Sequence, residues 1–287
     1  MPIPSKQIGW STQDNLLWQI AKQLEGTECQ LCTLNDNIQA ITGTSGTSGS
    51  SGISGTSGSS GTSGVNLYCG SFLFNFITTL TAAIPNPSST AAIQVVNTTG
   101  FIAPGYMKIG NEIIGYTGKT ATSFTGITRG VGTSSASSHP IGAGVSQAQW
   151  APANTPTQVK IDETDLSSGV TLSGVGDVTI VNAGIYNIQF SIQFLNSGND
   201  VDDVAAWFRA NGNTIPKSAS HATVAQSHAA GPGALIMTVN IFYTAAPGDV
   251  ISIMWSSDKG TTAISSIYPI NGIPQSPGVI LTVNKIS

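Results

Sequence analysis

Charge is scarce in this 287-residue chain: Asp, Glu, Lys and Arg together make up 8% of it. An ordinary soluble domain carries about 25%. Self-repulsion on that scale cannot hold a chain open, which excludes charge-driven disorder. A β-rich body coated with Ser, Thr, Asn and Gln is expected instead. The 10 basic residues are spread along the chain and the net charge is −4, so there is no footprint for nucleic acid. Cysteine is equally sparse, and 3 of them do not make a disulfide framework. Cys29 and Cys32 form a C-x-x-C, but neither a second ligand pair nor a βαβ context accompanies them. Inert thiols are expected, with no metal and no cofactor.

Catalytic signatures are missing as well. The chain has no G-x-S-x-G, no H-E-x-x-H and no phosphate loop, so it is not expected to be an enzyme. Asp162, Glu163 and Asp165 crowd one segment, and Asp200, Asp202 and Asp203 another. Neither has the spacing of a calcium loop, and solvated loop acids are expected. Met1-Pro-Ile-Pro-Ser-Lys has no apolar core behind its lysine, so no secretion signal is expected. The stretch Val65 to Ile84 is uncharged and long enough to raise the question of a membrane. Its phenylalanines fall at 72, 74 and 76, a period of two that reads as a strand.

What the chain does have is glycine in phase. From Gly43 to Gly64, glycine stands at Gly43, Gly46, Gly49, Gly52, Gly55, Gly58, Gly61 and Gly64 without a miss. A strict three-residue period is what a collagen-like triple helix demands, because only Gly fits where three extended chains crowd one axis. The other positions hold only Thr, Ser and Ile53, with no proline, and a flexible Gly/Ser linker is the alternative. Just before it, Leu17, Ile20, Leu24, Thr27, Leu31, Leu34, Ile38 and Ile41 are spaced alternately three and four apart. That is the a/d seam of a coiled coil, broken only by Thr27 beside Gly26. An amphipathic helix on a globular core would usually show a wider stripe. A three-stranded coil leading into a three-chain rod keeps one symmetry, so a homotrimer is expected. Ahead of the coil lies a proline-punctuated arm, residues 1–16, with Ile3, Ile8 and Trp10 as its apolar contacts.

The remainder alternates as strands do. Residues 65–150 read as a small β module in which Phe101 to Gly118 forms two strands about a Gly110-Asn111 turn. Among its few charges, the isolated Glu112 and Arg129 are expected to form a structural ion pair. Residues 151–156 make a linker. In residues 157–287, strands are expected at Val178 to Val181, Gly184 to Phe194, Ala205 to Arg209, Ala234 to Tyr243, Val250 to Trp255 and Gly278 to Val283. Ile188, Phe190, Ile192 and Phe194 fall on one face of theirs and Asn187, Gln189, Ser191 and Gln193 on the other. Many short strands without helices imply a β-sandwich.

Two resemblances follow from these residues. The run Gly100 to Val145, with its I-G-N-E-I-I-G-Y-T-G and F-T-G-I-T-R-G, resembles a small β module of tailed-bacteriophage structural proteins. The opening Ser5 to Leu24 is similar to that of marine-phage virion proteins. The order Ala183-Gly-Ile-Tyr, Asn211-Gly and Pro247-Gly-Asp-Val before Pro277-Gly-Val-Ile resembles the jelly-roll head of the tumour-necrosis-factor and complement-type families. That resemblance implies a trimeric head, borne on a collagen-like stalk in the complement-type branch. Together they imply a non-enzymatic homotrimeric fibre on the surface of a phage particle. The arm at 1–16 would dock on other virion proteins of capsid or tail, the coil at 17–42 would fix three chains, and the rod at 43–64 would space them. The head at 157–287 would meet a host cell-surface glycan or protein. A capsid decoration or cement protein and a secreted bacterial collagen-like adhesin are the alternatives.

Overall fold

A computed structural model describes residues 68–228, 231–270 and 272–287. The docking arm with Ile3, Ile8 and Trp10, the coiled-coil seam and the glycine rod all lie outside the described residues. Strands, all paired antiparallel, dominate what is described, and the one helical element is a single 3-10 turn at Val131–Thr133.

The first strands are β1 (Cys69–Phe74), β2 (Ile77–Thr79), β3 (Ile93–Gln94), β4 (Gly105–Ile109), β5 (Glu112–Tyr116), β6 (Gly118–Lys119), β7 (Ser123–Thr125) and β8 (Gly144–Trp150). They are followed by β9 (Thr157–Gln158), β10 (Glu163–Ser168), β11 (Val170–Ser173), β12 (Asp177–Ile180), β13 (Gly184–Asn196) and β14 (Asp202–Ala210). The last are β15 (Asn213–Thr214), β16 (Ser220–Val224), β17 (Gly233–Ala245), β18 (Val250–Ser257), β19 (Thr262–Ser265) and β20 (Val279–Lys285).

β13 is the spine of the C-terminal body. Its alternation buries Tyr186, Ile188, Phe190, Ile192 and Phe194, all at 0% exposure, each contributing about 1.5–3 kcal/mol of apolar transfer. One edge pairs along its whole length with β17, and the other with β20 and then β19. The sheet β10-β1-β20-β13-β17 shares one apolar core with the sheet β11-β12-β18-β14-β16. Phe190 meets Phe208 with ring centroids 4.9 Å apart, and Phe194 meets Trp255 at 5.8 Å. This is a β-sandwich, as the alternation predicts. The Asn211-Gly212 turn between β14 and β15 has φ of 51° and 79°, the left-handed pair that a two-residue hairpin loop needs.

β1 belongs to this sandwich. It pairs with β20 and β10, and Phe72 and Phe74 lie in the sandwich core. The period of two identifies it as a strand but carries no information about which sheet it joins. Residues 75–150 therefore leave the sandwich between two neighbouring antiparallel strands, and the chain is back in it before β10, with β9 on β18 and Val159 and Ile161 in its core. Most of that excursion builds a second core from Leu80, Ile93, Phe101, Met107, Ile114, Tyr116, Phe124 and Val145. The β4–β5 hairpin turns at Gly110-Asn111 as expected, with Gly110 at φ 57°. Through β19, β8, β4 and β5 the sheet of the sandwich continues into this second body.

Candidate functional site

Glu112 opens β5 and is fully buried. A buried carboxylate must have its oxygens satisfied, or the lost hydration is not made good. Here the partners converge from one loop. Arg129 donates from Nε and Nη2 at 2.6 and 2.7 Å, a bidentate fork. The amides of Gly130 and Ser137 donate at 3.1 Å each, and His139 Nε2 lies 2.7 Å away. Burial alone would raise the carboxyl, but the hydrogen bonds from His139, Arg129 and Ser137 outweigh it and hold it at about 2. With this many donors upon it, Glu112 has no lone pair left for a substrate proton. Arg129 spends its remaining donors on the carbonyls of Asn86, Ser89 and Ser137. The expected ion pair is therefore present, and it clamps two loops, at 86–89 and 129–139, to the start of β5.

The acidic clusters are corrected in part. Asp202 is buried, where a solvated loop acid was expected. It accepts from Ser257 Oγ at 2.6 Å, the Lys259 amide at 3.0 Å and Thr261 Oγ1 at 3.0 Å. Burial raises its carboxyl, yet these hydrogen bonds bring it below the usual value. It organises the turn between β18 and β19. Asp162 has one oxygen held by Gln147 Nε2 at 2.6 Å, while the other is buried without a partner. Burial pushes its carboxyl up to about 7. Among the described residues no cluster of His, Cys, Asp or Glu could hold a metal ion. No described helix is long and apolar enough to cross a membrane, and Cys69 is a free thiol.

Beside the Glu112 clamp runs a groove of about 550 Å³. Tyr106 and Trp150 form one wall, their ring centroids 5.7 Å apart in an edge-to-face arrangement. Arg129, Val131, Gly132, Tyr116, Thr117 and the half-buried Lys160 line the rest. Trp150 is fixed from behind, its Nε1 donating to the carbonyl of Gly260 at 2.8 Å. Of these groove residues only Arg129 was singled out from the sequence, and as the partner of Glu112 rather than as part of a groove. Trp150 ends an alternating run, and Tyr106 precedes the Gly110 turn, but nothing in their spacing says that the two rings meet. No protein-family model matches the chain, and no curated protein matches it.

Proposed function

We propose that this chain is a non-enzymatic homotrimeric fibre of a tailed-phage virion, docked through residues 1–16 and presenting a jelly-roll head for host-surface binding. The observation that carries this reading is the strand order of the sandwich. Going along the chain, β12 lies in one sheet, β13 in the other, β14 and β16 back in the first, β17 in the second, β18 in the first and β20 in the second. Crossing between sheets in this way is what a jelly roll does, and it agrees with the resemblance to the trimeric heads.

The surface of β17 supports association of copies. This strand is 13 residues long and, among the described residues, pairs only with β13. Its outward side chains Ile236 and Phe242 are 64% and 68% exposed. Its inward Leu235, Val239, Ile241 and Tyr243 are only half-buried at the sandwich edge. A long apolar edge strand invites pairing with another chain unless it is covered. A closed ring of identical copies covers it without leaving an open end. The phage assignment itself rests on the module motif and the opening segment. The Glu112–Arg129 clamp gives a physical reason why that motif holds an acid and a guanidinium.

The test is imaging of purified particles together with particles lacking the chain. A threefold projection whose loss abolishes adsorption and leaves particles intact is the expected result. Loss of particle integrity would favour the cement role. Recovery of the chain in a cell envelope, with none in particles, would overturn the reading.

A further inference from the structure

We infer that the groove beside β4 and β5 binds an acidic saccharide, a pyranose carrying a carboxylate. The groove has the composition such a ligand needs. A pyranose ring presents an apolar C–H face and a rim of hydroxyls, and its best partner is an aromatic wall with a few placed polar groups. Tyr106 and Trp150 supply the wall. The Tyr106 hydroxyl has no protein partner among the described residues, and the exposed Thr117 and Thr128 line the same groove. Glycine shapes the wall. A Cβ on Gly132, which has φ of 64°, would stand 2.4 Å from Trp150 Nε1, so glycine there lets the indole lie where it does. At Gly115 a Cβ would be accommodated, its nearest neighbours Thr128 and the Tyr106 ring at 3.5 Å, so a larger side chain there would reach into the groove.

Charge selects the acid. Arg129 lines the groove but is committed to Glu112 and to three carbonyls. Lys160 makes no ion pair among the described residues, though Asp162 is close enough to attract it, and the one hydrogen bond of its ammonium, to the Pro104 carbonyl, is 3.5 Å long. An ammonium so weakly held in an aromatic groove complements a carboxylate. Other occupants fit less well. A peptide adding itself as a strand would need open backbone groups. Gly115 N and O on the groove side are taken by Thr128, at 2.8 and 2.9 Å. A nucleic acid strand would need more than one available cation.

This inference rests on the host-surface reading, and it places the saccharide contact on residues 104–160 rather than on the sandwich. It is tested by saturation-transfer NMR on the full-length chain with trigalacturonate and sialyllactose, with maltotriose as the neutral comparison. Transfer to at least one acidic sugar is expected, with a dissociation constant on the order of 1 mM per site. Lys160→Gln should weaken it about tenfold, the share of one charge-assisted hydrogen bond. Gly115→Val fills the groove without removing any polar group and should abolish it. Absence of transfer at roughly ten times that constant, equal binding of maltotriose, or binding unchanged in both variants would overturn the assignment. The two readings fail separately. A chain that mediates adsorption yet binds no acidic sugar sinks the groove alone, and loss of adsorption is not needed to score the NMR.

Discussion

Replacing Glu112 by Gln keeps the side chain's shape and removes its charge, leaving the Arg129 fork against an amide in a closed site. Breaking a buried pair by altering one partner typically costs about 3–5 kcal/mol, and denaturant unfolding of Glu112→Gln should show a loss of that size. The carboxyl sits at about 2 against an ordinary value of 4.5. Its folded value is depressed, so its contribution is complete above 4.5 and is lost as pH falls towards 2. Glu112→Gln should therefore flatten the acid limb of the stability curve. Asp162 has the opposite sign. Its value rises from 3.8 to about 7, so between those limits the folded chain holds a proton that the unfolded chain has released. Stability falls as pH rises through that window. Asp162→Asn should raise the melting temperature at about pH 8, and show little or no gain near pH 4. A variant that melts lower than the parent at the higher pH would contradict the account. The sequence shows Glu112 as the one acid of residues 65–150, among few bases, which is why its pairing with Arg129 is legible there. His139 joins them from a Ser-rich loop, and no periodic signal points to it. Asp202 lies in an acidic cluster that reads as solvated, and only the converging donors of Ser257, Lys259 and Thr261 show otherwise.

Among elements, legibility follows burial on one face. β13 alternates cleanly because one side meets the core and the other does not, and its expected face is the observed one. β10, with the sequence ETDLSS, is exposed along most of its length and exists through its ladder with β1. β19 is short and buried at every position, so it carries no period. Pairing partners are a further step away. The two phenylalanines of β1 declare a strand, yet the chain between β1 and β10 hides that the two are neighbours. β17 is where an element-level prediction belongs. Phe242→Ser removes an exposed ring from its outer face, so it should leave the unfolding free energy of a dilute sample within about 0.5 kcal/mol of the parent. The same change should weaken self-association measured by sedimentation. If the variant sediments as the parent does, that face is not the contact.

At the scale of the whole molecule, the described chain has two apolar cores joined by a continuous run of paired strands, with an aromatic groove on the second body. Its surface carries little charge, so electrostatic steering is weak and avidity is the natural source of affinity. In the proposed trimer, three heads on one stalk would convert a millimolar contact into a far tighter one, by factors of roughly 10²–10⁴ where geometry permits. That reasoning depends wholly on the number of chains. Residues 17–64 state it most openly in the sequence, through the a/d seam and the phased glycines, while the sandwich shows only an apolar edge suited to it. The most direct test is the mass of the purified full-length chain at micromolar concentration by light scattering coupled to size-exclusion chromatography. The account predicts three times the mass of one chain, and a particle of single-chain mass would contradict it.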